Sequence, residues 1–346
     1  MFQYLIIINP LGFMYGSAGA FLSPENLVGR SGAKFPPDAA TLSGLFFSAN
    51  KVKRFIEHEK LRENLYVAGP FWAECDDPEY FYIPIPWSKI ITEEVKKLDE
   101  WSIKDSKWYR SPETEEFKPD YRWQKVNSWE NTPDEIRDNK DAAKDPWKYI
   151  PILHPKMKDD ERHVQEEDGL FLENSVQMSF HKLDKRRKDT CLVYLSTHAL
   201  PEGWYRFGGE NHLVEISSME LPEDSPILKL LGHKKKIERT FALITPGVWG
   251  STRFSYRYPQ HPTFPKPTHI LTDRPSPYRY RAGDGKGRGR LGRGRYAVPA
   301  GSVYVLDQPL NKSWWEWDEQ WFPNEGYSLK KVGCGLCLPI KIEGVT

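Results

Sequence analysis

The residue types best suited to chemistry cluster between Arg274 and Arg295. Seven Arg and one Lys stand there against a single acid, Asp284, giving +7 over 22 residues. Within this stretch, Gly283-Asp-Gly-Lys-Gly-Arg-Gly-Arg-Leu-Gly-Arg-Gly-Arg295 has Gly at six of thirteen positions. Glycine lets a backbone approach a ligand closely and turn its amides toward phosphate. Arginine forks onto phosphate oxygens and stacks on bases. Tyr278 and Tyr280 lie just upstream. Charge for the backbone and ring faces for the bases are what a single-stranded RNA groove requires. Lys286, Arg288, Arg290, Arg293 and Arg295 are therefore candidate phosphate contacts, and Tyr280 a candidate stacking residue.

Two other readings compete for the same stretch. One is a solvated basic loop with no ligand. The other is a dinucleotide fingerprint, because Gly287-Arg-Gly-Arg-Leu-Gly292 fits G-x-G-x-x-G. That fingerprint must follow a strand and open a helix. Here Pro299 and a strand-like run at 302–306 follow instead, so the match is weak. A second basic cluster, Lys234-Lys235-Lys236 with His233 and Arg239, reads alone as a solvated face. Its place in the same half of the chain suggests a shared anion surface.

Other chemistry finds less support. Metal-independent RNA cleavage needs a His, Lys or Tyr within reach of the scissile 2′-OH. His181 and His212 are the candidates, although a single His on a strand is more simply a structural residue. Gly208-Gly209, just before His212, makes a turn, or else a backbone that RNA can approach. His212 is then a second candidate for stacking on a base. Asp159-Asp-Glu161 and Glu166-Glu-Asp168 are runs of neighbours that point different ways, which describes solvated acid rather than a metal site. Cys334-x-x-Cys337 has zinc spacing but no second pair, and reads as two small apolar residues. No phosphate-binding Walker motif and no nucleophile elbow occurs. No cofactor, metal or catalytic residue is expected.

The 346 residues carry 49 basic and 48 acidic side chains, a net +1. Removing the +7 segment leaves −6, so the neutral total hides a local basic site. At 14% aromatic, with 13 Trp, the chain is not a disordered one. Its length suits about two domains. Four Cys are too few for a disulfide scaffold. The first 24 residues are uncharged, but they lack a basic leader and are broken by Pro10 and Gly12, unlike a signal peptide. No apolar run reaches the ~20 residues of a membrane span. The expectation is a cytoplasmic protein without membrane contact.

The elements that would position these residues follow from periodicity. A strand is expected at 2–9, then a glycine-rich loop over 11–35. Leu42, Leu45, Phe46, Ala49, Val52 and Ile56 predict a helix over 38–61. Strands at 65–71 and 80–86 complete the opening of a ferredoxin-like module. Residues 92–168 hold 21 acidic and 15 basic side chains and read as a surface insertion with a short helix near 93–101. A strand-like stretch at 170–182 leads to a polar break at 182–188, taken as a domain boundary. Beyond it come a strand at 190–196, a hairpin of 204–207 with 212–217, a helix over 225–239, and strands at 240–245, 268–271, 302–306 and 336–342. The fold class expected is α+β: two ferredoxin-like modules, 1–188 and 189–346, with an insertion at about 92–168 and the glycine/arginine loop at 283–295. Four Trp within 314–321 imply either core burial or a docking patch.

Several of these stretches together resemble RAMP-superfamily subunits of type III CRISPR effector complexes. Phe35-Pro-Pro-Asp-Ala-Ala-Thr-Leu-Ser-Gly-Leu45 resembles the family's Pro-rich entry into a small-residue helix. Arg206-Phe-Gly-Gly-Glu-Asn-His212 is similar to its glycine–glycine–acid turn. Val298-Pro-Ala-Gly-Ser-Val-Tyr304, fed by the glycine-rich loop, looks like the C-terminal part of the handle-capping subunit of type III-B (Cmr) complexes. Residues 333–342 are similar to the family's last glycine-containing strand. The matches cover about a third of the chain and leave out 92–168. The resemblance implies two ferredoxin-like modules side by side. It also implies a non-catalytic subunit that binds the crRNA 5′ handle, the large polymerase-like subunit and the adjacent backbone RAMP subunit. An inserted hairpin or thumb would then lie near the target RNA. Two alternatives stay open: a RAMP endoribonuclease that processes precursor crRNA, and the equivalent capping subunit of another type III subtype.

Overall fold

The computed structural model describes residues 1–15, 35–93, 99–110, 119–155, 163–164, 170–179, 181–183, 186–208, 212–250, 254–279, 281–282, 290–324 and 326–345. The protein is mixed α/β, built mainly of antiparallel sheets with few helices. Eight strands form its frame: β1 (Tyr4–Pro10), β2 (Val67–Glu74), β3 (Thr190–Ser196), β4 (His212–Glu220), β5 (Thr240–Leu243), β6 (Pro267–Leu271), β7 (Val303–Leu306) and β8 (Cys337–Pro339). The first sheet contains the order β4-β1-β3-β2, and the second is β8-β5-β7-β6. Each therefore runs fourth, first, third, second, with every neighbouring pair antiparallel. The first sheet continues past β2 through Tyr82–Pro84, Trp123–Lys125 and Ala142–Ala143, and past β4 through Gly203–Phe207.

All seven residues of β3 are buried, as suits a central strand covered on both faces. The helix Ala39–Lys53 lays Leu42, Phe46 and Ala49 into the core and lies beside β2. It ends sooner than its apolar spacing predicts, because Arg54 turns left-handed at φ 50°. Asn50 stitches the break: its amide donates to Ile56 O at 2.9 Å, and its oxygen accepts the Ile56 N–H at 3.0 Å. A second short helix, His58–Asn64, follows.

The strand pairing departs from the sequence expectations in several places. Strands β3 and β4, expected in a second half, are hydrogen bonded into the first sheet, so the boundary expected at 188 falls inside that sheet. The polar break itself is a hairpin of His181–Leu183 with Arg186–Lys188. Of the short helix expected near 93–101, residues 94–98 lie outside the described residues; Asp99–Glu100 pairs with Lys89–Ile90, and Ser102–Lys104 with Lys107–Tyr109. The Ile103 amide is taken by Glu343 O at 2.8 Å, a long-range bond that local periodicity does not reveal. Only Pro226–Leu231 of the helix expected over 225–239 is helical; it stops at Gly232. The described part of the insertion includes regular structure: Trp147–Pro155 pairs over nine residues with Leu170–Met178, the strand-like stretch that follows it. Among the described residues, no helix is long and apolar enough to cross a membrane.

The tryptophan run closes the core between the two sheets. Trp314, Trp317 and Trp321 are at most 3% exposed, and Trp315 packs edge-on against Phe2 at 4.7 Å. Lys330 ties the run together by donating from Nζ to Trp315 O and Trp317 O, at 2.9 and 2.5 Å. Gly333 follows, at φ +69°. A Cβ there would lie 2.6 Å from Ala68 Cα and 2.8 Å from Val67 O, so the second half rests backbone-to-backbone on β2.

A second buried lysine carries a pH signature. Lys89, 5% exposed, donates from Nζ to Trp129 O at 2.9 Å and Asn131 O at 2.6 Å. Burial pulls its ammonium down to about 8, although Glu100, Glu135 and Glu130 oppose the shift. The folded-state value thus lies below the unfolded one of ~10.4, so folding disfavours this charge at neutral pH. The stability linked to it is present above the unfolded value and is lost as pH falls toward 8. Compared with Lys89→Met, wild-type stability should therefore rise between pH about 8 and about 10.4. A difference in urea midpoints that stays flat across this window would contradict the assignment.

Candidate nucleic-acid interface

The basic segment is carried on a stem. After β6, Ser276–Tyr278 pairs with Arg295–Ala297, and Arg281–Ala282 then pairs with Arg290–Leu291. Tyr278, Arg295 and Ala297 are 7%, 5% and 1% exposed, so the root of this ribbon belongs to the core. Arg279 closes it by donating from Nε to Gly292 O at 2.8 Å. Residues 283–289, with Lys286 and Arg288, lie outside the described residues, as do Tyr280 and the side chain of Arg290. Arg293 is exposed.

Arg295 corrects an expectation. Strand alternation sends residues 295 and 297 inward and 296 outward, so the candidate phosphate contact is buried while Tyr296 is 50% exposed. The Arg295 side chain thus lies inside the stem and not on its surface.

Sequence reasoning missed a group of aromatic residues beside this root. Ser255–Tyr256 pairs with Trp249–Gly250 and lies against the Arg295–Ala297 strand, where Tyr296 N–H donates to Ser255 Oγ at 2.9 Å. Gly250 makes this possible: at φ +115°, a Cβ would sit 2.1 Å from the Phe254 carbonyl oxygen. Phe254, Tyr256 and Tyr296 are 62%, 37% and 50% exposed, and Arg257 is exposed as well. Three rings and a guanidinium thus surround the root of the basic ribbon. The available signal was the interleaving in Phe254-Ser-Tyr-Arg-Tyr258.

The remaining candidates are not gathered here. Lys234, Lys235 and Lys236 are exposed, but acids attend them. Lys235 pairs with Glu130 at 2.6 Å, and His233 Nδ1 lies 3.9 Å from Glu316. The Glu316 carboxyl is held below its ordinary range, first by the Ser313 N–H and also by nearby Lys236 and His233. These contacts run to Glu130 and Glu316, neither of which belongs to the ribbon. Gly208 (φ 80°) and the half-buried His212 belong to the edge hairpin of the first sheet, where His212 sits opposite Phe207; Gly209 lies outside the described residues. His181 lies on the separate hairpin opposite Lys188. The two candidate acid–base histidines are therefore on different hairpins.

Cys334 and Cys337 are buried. Cys334 Sγ accepts the Val248 N–H at 3.0 Å, and burial pushes its thiol up to about 12. Burial also raises Cys337 well above its ordinary value. Neutral thiols are poor zinc ligands. Among the described residues no group of three or more His, Cys, Asp or Glu could hold a metal ion.

No family model and no curated protein matches the chain. Its structural neighbours include chains of type III CRISPR assemblies. One, from type III-B Cmr-beta bound to cognate target RNA, is similar over 87% of this chain and 86% of its own, with 11% identity and a TM-score of 0.49. Another, from the Csm3-Csm4 subcomplex of the type III-A interference complex, covers 88% and 94%, with 10% identity and a TM-score of 0.38. At this distance the likeness assigns no role to any residue here.

Proposed function

We propose that this chain is a non-catalytic, RNA-binding subunit of a type III CRISPR effector complex, of the type III-B (Cmr) kind, that caps the crRNA 5′ handle. The observation that carries this reading is the root of the basic ribbon: Tyr278, Arg295 and Ala297 are buried there, Arg293 is exposed next to it, and three exposed rings stand at its base, while the sequence adds Lys286, Arg288 and Arg290 to the same segment. Phosphates would lie on Arg288, Arg290, Arg293 and Lys286, while the rings take unpaired bases. The doubled fourth-first-third-second strand order supports two ferredoxin-like modules, one built on β1–β4 and one on β5–β8. The net −6 of the rest of the chain leaves surfaces suited to protein neighbours, here the large polymerase-like subunit and the adjacent backbone RAMP subunit. The Trp147–Pro155/Leu170–Met178 ribbon is the segment that would lie near target RNA. The endoribonuclease alternative gains nothing from two histidines on separate hairpins.

The test is binding of the purified protein to crRNA with and without its 5′ handle, titrated over salt. Tighter binding of the handle-bearing RNA is expected, with the log of affinity falling linearly in log salt at about −0.7 per phosphate contact. Equal affinity for both RNAs would overturn the capping role. Incubation with repeat RNA in chelator should leave the RNA intact; discrete cleavage lost on replacing His212 or His181 would favour the enzyme.

A further inference from the structure

Beside the ring group lies an open cleft of about 250 Å³, with Tyr256, Gln260, His261, Gln320, Trp321 and Phe322 in its lining. It is smaller than the ~300–1,000 Å³ usual for drug-sized ligands, so it suits a single ring system. Among the described residues its lining holds two carboxamides, an imidazole and aromatic faces, with no carboxylate, ammonium or guanidinium. These lining side chains offer phosphate no counter-charge, whereas an uncharged heteroaromatic ring would find both stacking surface and hydrogen-bond partners among them. Tyr256 belongs to the cleft and also to the exposed group at the root of the basic ribbon. A strand that reaches the ring group at the root of the ribbon therefore meets the cleft at Tyr256.

The cleft is also pre-organised. Trp321 Nε1–H donates to Thr263 Oγ1 at 3.0 Å, and that hydroxyl donates to His261 Nδ1 at 2.8 Å. The Thr263 N–H approaches the same nitrogen at 3.3 Å. With Nδ1 accepting, the neutral imidazole carries its proton on Nε2 and is a fixed donor. The 3% exposed Trp321 anchors this relay. Gln260 and Gln320 can each donate and accept, the pattern needed to read the Watson–Crick edge of an unpaired base.

We propose that this cleft is a nucleobase pocket that takes one flipped-out base of a bound single strand and reads its edge through Gln260, Gln320 and His261. The proposal rests on the RNA-binding reading above. It adds base discrimination, which phosphate contacts cannot supply.

The experiment measures the affinity of the full chain for oligo(A), oligo(U) and oligo(C) RNA of about ten nucleotides, a length within the usual single-strand site size. Wild type is compared with Gln260→Ala/Gln320→Ala and with Tyr256→Ala, each titrated over salt. Wild type should prefer one oligomer. The double variant should lose most of that preference while its salt slope stays unchanged, and Tyr256→Ala should weaken binding roughly five- to hundredfold. Both glutamines are exposed, so the thermal midpoint should not move. If wild type binds with the expected salt slope but shows no preference, or the double variant keeps the preference, the pocket assignment fails alone. If wild type binds none of the oligomers, the RNA-binding reading fails and the pocket fails with it.

Discussion

Replacing Arg288, Arg290 and Arg293 together by Gln should lower crRNA affinity about a hundredfold at 100 mM salt. The figure follows from counterion release. Each single-strand phosphate contact contributes about 0.7 to the slope of log affinity against log salt, so three contribute about 2. A tenfold dilution from 1 M to 100 mM salt converts that slope into roughly a hundredfold. The same titration should show the slope becoming shallower by about 2, a sharper readout than affinity alone. Arg295 is left out because it is buried in the stem; Arg295→Gln should lower the thermal midpoint rather than the salt slope. A triple variant with unchanged slope would move the phosphate site off this ribbon.

Gly333→Ala should cost about 2–5 kcal/mol of stability. Two terms contribute. A non-glycine residue in left-handed backbone costs about 1–2 kcal/mol, and overpacking a filled contact costs about 1–3 kcal/mol. The added methyl would stand 2.6 Å from Ala68 Cα and 2.8 Å from Val67 O, atoms of a strand that cannot swing aside as a flexible side chain can. Gly326→Ala separates the terms, since Gly326 sits at φ +98° with nothing within 4 Å of the added carbon. Its urea midpoint should fall by the backbone term only. Equal losses in the two variants would mean that the second half does not bear on β2 through this turn. On a domain stability of ~5–15 kcal/mol, the larger loss is enough to depopulate the native state at modest denaturant.

What the sequence made legible was local. The hairpin Gly203–Phe207/His212–Glu220 and strands β5 to β8 show themselves through alternation and turn residues. Pairing across distance was not legible. No local property of Thr190–Ser196 states that it inserts between β1 and β2, because residues 75–189 intervene between β2 and β3. The same limit hid the site. Tyr296 meets Ser255 from 41 positions away, so the ring group exists only once the second half has folded. Arg295 was misjudged for a different reason. Inside a basic run, composition is uniform and only strand parity decides which arginine faces inward, and parity needs the Ser276–Tyr278 register. The tryptophan run was legible as an alternative between core and docking patch. Phe2 and Tyr66, whose rings meet Trp315, decide it from the far end of the chain.

The late arrival of β3 and β4 has a consequence for synthesis. β1, which contains the apolar run Leu5-Ile-Ile-Ile8, finds both of its sheet partners only beyond residue 189. At ~5–20 residues per second, translation leaves that strand without its native neighbours for roughly 10–40 s. A short, uncharged, β-prone segment held open so long is a template for wrong pairing between nascent chains. Production of soluble protein should therefore respond to growth temperature and to chaperone supply far more than the stability of the finished fold would suggest.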